Sequence, residues 1–215
     1  MTTYTVSRQY VWQGPLSERA VRVCRMFGLT IDRLSDAAPN HRCRVRIRPG
    51  DIVYIKGPSG AGKSVLLREL RRCVPAPDVI DLASVELPDD KTVIDCFTDD
   101  LIASLQTLSM VGLGDVFSIL NRPSRLSDGQ KYRFRLARAL ASGRPFVFAD
   151  EFCSELDRIT AATVAFNVHR FARRANLTLV LASGRDDILI DLAPDVLINK
   201  GFAGEAEVIY KEQRR

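Results

Sequence analysis

The sequence predicts an α/β fold, a sheet with helices on its faces, interrupted by one helical insert. Three observations predict it. Apolar runs of strand length alternate with amphipathic runs of helix length along most of the chain. A glycine-rich stretch, GPSGAGKS (57–64), joins one such strand to one such helix. Further on, the apolar strand FVFA delivers two adjacent carboxylates, Asp150 and Glu151. At 215 residues, 46% of them hydrophobic and 27% charged, the chain is read as a single soluble domain that can bury a core without disulfides or metals.

Residues 16–27 (LSERAVRVCRMF) have the spacing of an amphipathic helix, with Ser17 as N-cap and Gly28 as its stop. The polar segment DRLSDAAPN follows, so residues 1–41 read as an N-terminal extension carrying one helix. In HRCRVRIR (41–48), Cys43, Val45 and Ile47 alternate with Arg44, Arg46 and Arg48, as in a strand with one buried and one wet face. The chain turns at Pro49-Gly50-Asp51 into the apolar strand IVYI (52–55). After the glycines comes a helix from about Ser64 to Cys73, ended by Pro75 and Pro77, and then a short strand, VIDL (79–82). From about 92 to 142 the pattern is mainly helical, with a helix over 130–142. The strand PFVFA (145–149), a helix over 158–174, the strand LTLVLA (177–182) and the shorter runs VLIN and AEVIY complete the series.

Composition excludes several classes. Five scattered cysteines without a CxxC spacing argue against a disulfide framework or a zinc site and favour the cytoplasm. The N-terminus lacks the pattern of a signal peptide, and no apolar run has the length of a membrane span, so any membrane attachment is expected through another chain. The net charge of +5 permits contact with nucleic acid or anionic lipid without requiring it. The arginines of 42–48 and of KYRFRLARAL read as a solvated face or as a basic patch.

GPSGAGKS fits the phosphate-binding pattern G-x-x-x-x-G-K-[ST], and its setting between strand and helix gives the pattern its meaning. The loop of Gly57, Pro58, Ser59, Gly60, Ala61 and Gly62 can close around phosphate oxygens through its backbone N–H groups, which Pro58 alone lacks, and the first helical residues, through Val65, add the positive end of a helix dipole. Lys63 is placed to reach the terminal phosphates and Ser64 to ligate Mg²⁺. Asp150 suits the metal's water shell, and Glu151 the orientation or deprotonation of an attacking water.

GPSGAGKS, LSDGQ (126–130), FVFADE and SELD (154–157) follow one another as in the ATP-binding-cassette (ABC) ATPases, which the chain resembles from about residue 42 to 200. The resemblance implies a P-loop NTPase core sheet and Mg²⁺-dependent ATP hydrolysis in a head-to-tail dimer, with this same chain or a related ATPase subunit. LSDGQ resembles the family's signature, with Asp128 in place of the usual middle glycine. By that resemblance Ser127, Asp128, Gly129 and Gln130 face a nucleotide held by the second subunit, and Asp157 is the interface aspartate. Adenine is expected on an upstream aromatic residue: Phe27, which also reads as a core residue of the first helix, or else Tyr10 or Trp12.

The chain departs from the pattern in three places. The interval from Lys63 to Leu126 is short, which implies a reduced helical insert. The family's glutamine in this interval has no clean counterpart, and Glu86 is the nearest match as a metal-side residue. The histidine that follows the last core strand is missing: LASGR (181–185) offers Gly184 or Arg185 there, and Arg185 is a candidate arginine finger or a partner of Asp186 or Asp187. The runs LSDGQKYRFRLARAL, ADEFCSELDR and LAPDVLINKGF also resemble a soluble ABC group often joined to an acetyltransferase-type domain, which would here be a separate partner. Three functions follow. The first is a soluble ABC-class ATPase acting on an acetyltransferase-type or nucleic-acid partner, the second the ATP-binding subunit of a membrane transporter, and the third an ATP-sensing dimerisation module with little hydrolysis.

Overall fold

A computed structural model describes residues 1–9, 15–30, 40–98, 100–202 and 204–211. In chain order its strands and α-helices are β1 (Thr2–Gln9), α1 (Glu18–Met26), β2 (Asn40–Ile47), β3 (Ile52–Lys56), α2 (Lys63–Arg72), β4 (Val79–Asp81), α3 (Leu101–Met110), α4 (Val116–Ile119), α5 (Asp128–Leu140), β5 (Phe146–Ala149), α6 (Arg158–Ala175), β6 (Thr178–Ser183), α7 (Leu189–Leu192), β7 (Val196–Asn199) and β8 (Glu207–Tyr210). The main sheet has the order β4-β5-β6-β3-β7-β8, parallel except for β8. Such an α/β sheet, with helices filling both faces, is the fold class read from the sequence.

Strand β3 sits inside the sheet and is buried on both sides, which is why its sequence is continuously apolar rather than alternating. Ile52 and Tyr54 point into one core, with α5, α6 and the insert. Val53 and Ile55 point into the other, with Leu66, Leu67 and Leu70 of α2 and the inner residues of β2. Parallel register brings Ile55 level with Ala182 of β6, and Ala149 of β5 level with Leu181. The C-terminal ends of β5, β6 and β3 therefore open side by side onto one edge of the sheet, the usual place for a ligand in this architecture.

The second sheet corrects the reading of residues 1–41 as an extension. Strand β1 pairs antiparallel with β2 over its whole length, Thr2 opposite Ile47 and Gln9 opposite Asn40. Its periodic signal is weak because, of its inward side chains, Val6 is buried and Tyr4 only half-buried. Across residues 42–48 the alternation is as expected: Cys43, Val45 and Ile47 are buried while Arg42, Arg44, Arg46 and, just past β2, Arg48 are exposed. Sliding β2 by one residue would bury those guanidinium groups, so the register is strongly specified. Helix α1 forms where expected, with Ser17 accepting from the Ala20 amide, but none of its residues is buried. Phe27, its C-cap, is 76% exposed and is therefore not a core residue.

The insert is less helical than the pattern suggested. Between residues 92 and 127 it holds α3, the one-turn α4 and two 3₁₀ turns. Asp100 and Asp115 cap α3 and α4, each accepting backbone amides one turn ahead. Leu108, Val111 and Leu113 anchor the insert to Phe134 of α5, and Phe97 meets the Phe134 ring edge-on at 6.3 Å.

Candidate functional site

At the end of β3 the chain must pass very close to another backbone segment and to a buried side chain, and glycine makes both passages possible. A Cβ on Gly57 would fall on the Lys200 carbonyl, whose own residue is tied by its amide to the Lys56 carbonyl at 2.8 Å. Gly62 has φ +89°, and a Cβ there would fall inside the imidazole of His41. Between them Pro58, Ser59 and Gly60 are exposed, and Ala61 is buried beneath. Helix α2 starts at Lys63, so its free N-terminal amides and the positive end of its dipole lie at the loop. Lys63 is 6% exposed, and its Nζ donates to the carbonyls of Gly57 (3.0 Å) and Pro58 (3.1 Å). Ser64 and Val65, in the first helical turn, are half-buried.

Strand β5 delivers Asp150 half-buried and Glu151 exposed. The Asp150 carboxylate accepts the Glu151 amide at 3.1 Å. Glu151 and Cys153 both lie in the left-handed region, at φ 49° and 59°, a conformation that costs a non-glycine residue about 1–3 kcal/mol. The surroundings hold it. The Phe152 amide donates to the Ala182 carbonyl of β6 (2.8 Å), and the Cys153 amide donates to the Tyr132 hydroxyl of α5 (2.8 Å). The Ser154 hydroxyl donates to the Glu151 carboxylate (2.8 Å) and lies 3.4 Å from the Ser183 hydroxyl. Burial pushes the Cys153 thiol up to about 12, so it stays protonated and chemically quiet.

Beyond β6 the structure separates the two candidates for the histidine's place. Gly184 faces the phosphate loop: a Cβ there would lie 3.9 Å from the Gly57 carbonyl oxygen and 4.0 Å from Lys63 Nζ. The Arg185 guanidinium is engaged elsewhere. Its Nε and Nη2 bind the two Asp187 oxygens at 3.0 and 2.7 Å, and its Nη1 donates to the carbonyls of Cys153 (3.0 Å) and Leu156 (2.5 Å). This fork holds the Asp187 carboxyl below the usual carboxylate range. The backbone of Arg185 is fixed too, its carbonyl accepting the buried Tyr54 hydroxyl at 2.7 Å. Asp186 pairs instead with Lys56, at 3.4 Å.

LSDGQ forms a helix start. Ser127 caps α5 in a reciprocal capping box with Gln130, and Gln130 also donates to the Ser118 hydroxyl of α4 at 2.8 Å. Asp128, with a side chain 91% exposed, lies 3.7 Å from Lys131. A groove of about 500 Å³ runs from Asp128 and Lys131 past Tyr132 to Asp150, Glu151 and Glu155. Asp157 caps α6, accepting the amides of Ile159 and Thr160 at 3.0 Å, and its bonds to Thr160 hold its carboxyl below the usual range.

Glu86 is exposed, and Leu82 and Leu87 rather than Glu86 line the groove beside Asp150. Tyr10 and Trp12 lie outside the described residues. Of the two histidines in the chain, His169 binds the Leu192 carbonyl at 2.8 Å, and His41 supports Gly62 from below. Burial, and then the charge of Lys200, hold the His41 imidazole below its ordinary value, so it is neutral at pH 7. Ser64 and Asp150 offer hard oxygen donors, the kind magnesium prefers. Among the described residues no group of three or more His, Cys, Asp or Glu could hold a metal by itself. Sequence reading missed His41, Lys200, Tyr54, Tyr132, Ser154 and Ser183. Apart from Ser154, which opens SELD and reaches Glu151 within one turn, none of them stands in a motif, and the tertiary fold brings them together.

No family model matches the chain. Among curated proteins it is 30% identical to the methionine import ATP-binding protein MetN of Xanthomonas oryzae pv. oryzae, a match covering 69% of this chain and 55% of that one. The chain thus spans about half the length of that relative. It is 31% identical to the aliphatic sulfonates import ATP-binding protein SsuB 1 of Paracoccus denitrificans, over 82% of this chain and 76% of the relative. None of these names refers to an acetyltransferase or a nucleic-acid partner. The fold matches that of MJ0796, a dimeric bacterial ABC transporter cassette, with a TM-score of 0.63 and 18% identity over 80% of this chain and 90% of that one. With its phosphate loop, paired carboxylates and LSDGQ helix start placed as described, the chain belongs to the ATP-binding-cassette ATPases.

Proposed function

We propose that the chain binds Mg-ATP and hydrolyses it in a head-to-tail pair with a second copy or a related subunit, and that the closure drives a membrane-embedded partner chain from the cytoplasmic side. The observation that carries the chemistry is the convergence of three strand ends. Lys63, Asp150–Glu151 and Gly184 leave β3, β5 and β6 side by side, with Gly184 next to Lys63 Nζ. Lys63 and the backbone N–H groups of residues 57 and 59–65 bind the phosphates. Ser64 and Asp150 would hold Mg²⁺, which supplies charge neutralisation at the phosphates. Glu151 orients the attacking water and takes its proton, and Ser154 fixes the carboxylate for that task. Ser127, Asp128, Gly129 and Gln130 meet the nucleotide of the opposite subunit across an interface that includes Asp157.

The names of the relatives favour a transporter over a soluble system. The insert supports this reading, because it exposes apolar side chains at its tip: Phe117 is 82% exposed, with Val116 and Leu120 beside it. Such a surface fits an apolar partner chain. No helix among the described residues is long and apolar enough to cross a membrane.

Glu151→Gln keeps shape and removes the charge. It is expected to bind ATP, dimerise with ATP but not ADP in light scattering, and lose turnover by roughly 10²- to 10⁴-fold. Lys63→Ala is expected to lose ATP binding. A Glu151→Gln variant that turns over ATP at the parent rate refutes the chemistry. Co-purification with a multispan membrane protein, lost in Phe117→Glu, supports the transport role; retention in that variant counts against the insert as the docking surface.

A further inference from the structure

Beyond β6, Arg185 donates to two carbonyls of the segment that carries both Glu151 and Asp157, and Asp187 holds the Arg185 guanidinium in place. We propose that they form a clamp whose work is positional: Arg185 ties the end of β6 to the turn Glu151–Asp157, so that the general-base carboxylate and the interface aspartate are set by one side chain. This rests on the ATPase reading above and assigns Arg185 a different task from contact with phosphate.

Donor geometry supports the assignment. A guanidinium has five N–H groups in a planar fork. Two of them hold Asp187, and Nη1 serves the carbonyls of Cys153 and Leu156. Reaching a phosphate beside Lys63 would break these contacts and strand the Asp187 carboxylate. Gly184 already occupies the position facing Lys63, and the Arg185 backbone is held by Tyr54. The clamp also meets the turn where it is strained. Cys153, whose carbonyl it binds, has φ 59°, and Glu151, two residues earlier, has φ 49°. The other side of the same turn is held by Tyr132, so Cys153 is gripped through its amide by α5 and through its carbonyl by Arg185. Leu156, the second carbonyl, immediately precedes Asp157, the cap of α6.

The test is a double-mutant cycle in ATP hydrolysis with Arg185→Ala, Asp187→Ala and the pair, together with Arg185→Lys and hydrogen exchange of the amides of residues 151–157. The clamp predicts that each alanine variant lowers kcat about tenfold with KM little changed. It also predicts that the double variant is no worse than the worse single, and that Arg185→Lys recovers part of the rate. Exchange over 152–156 quickens in both single variants while β6 amides keep their protection. An arginine finger predicts the opposite for Asp187→Ala, because a released guanidinium should leave turnover unchanged or raise it. Parent turnover and parent exchange in Asp187→Ala would overturn the clamp. Should the parent show no hydrolysis, the ATPase reading fails while exchange at 152–156 still decides the clamp.

Discussion

Replacing Tyr132 with phenylalanine removes a single oxygen, the acceptor that the Cys153 amide uses at 2.8 Å. Tyr132 is 9% exposed and Cys153 is fully buried, so the amide is left without water or carbonyl to turn to. A buried donor stranded in this way costs about 1–3 kcal/mol. In a domain of this size each kcal/mol lowers Tm by about 2–4 °C, so the melting temperature should fall by about 2–12 °C. Tyr54→Phe provides the control. It also removes one buried hydroxyl, but that hydroxyl donates to the carbonyl of Arg185, a half-exposed residue that water can reach. Its cost should be about 1 kcal/mol or less. Urea unfolding followed by circular dichroism measures both. Equal losses in the two variants, or a Tyr132→Phe protein within about 0.5 kcal/mol of the parent, would refute the view that α5 holds the Glu151 turn through this bond.

Two further outcomes are expected. Gly184 has an ordinary negative φ, and a Cβ there would make only van der Waals contact with Gly57 and Lys63, so Gly184→His should fold and raise turnover at least about threefold by supplying a positioned proton carrier; an unchanged or lower kcat would mean that Gly184 is not where that group acts. The arginine face of residues 42–48 tests the nucleic-acid reading: if it tracks phosphates, DNA affinity should fall steeply with salt, and the log–log slope should flatten by about one unit for each of Arg44, Arg46 and Arg48 removed, whereas no binding at low salt marks the face as solvated surface.

Legibility followed the kind of signal each residue carries. The phosphate loop and the carboxylate pair could be read because their chemistry requires particular residue types at fixed spacing after an apolar strand, and β3, α2 and β5 form within a residue or two of the expected bounds. Strand β1 was not legible, since a strand that buries Val6 and half-buries Tyr4 leaves almost no periodic trace. Phe27, a candidate for adenine stacking, also read as core for the opposite reason. The spacing of α1 is amphipathic, but its apolar side chains Val23, Met26 and Phe27 stay exposed. The contacts of Arg185 with Cys153 and Leu156 depend on the strand order β5-β6-β3, which places residues 32 and 29 positions away beside it. Spacing along the chain says nothing about which carbonyls a guanidinium will meet there.

The glycines divide what the chain needs for itself from what it needs for another. At Gly57 and Gly62 a side chain would strike Lys200 or His41, so the fold alone forbids one. Gly129 differs. It sits in the first turn of α5 with an ordinary negative φ, and the nearest atom to a Cβ there is the Glu155 carbonyl oxygen at 3.8 Å. Alanine would fit and would favour the helix by about 1 kcal/mol. Nothing within the chain therefore calls for glycine at this position. A bare backbone beside the exposed Ser127, at the positive end of a thirteen-residue helix, suits the close approach of an anion from outside. Under the proposed pairing that anion is the terminal phosphate on the opposite subunit, and the Gly129 amide, unobstructed by a side chain, is the group that meets it.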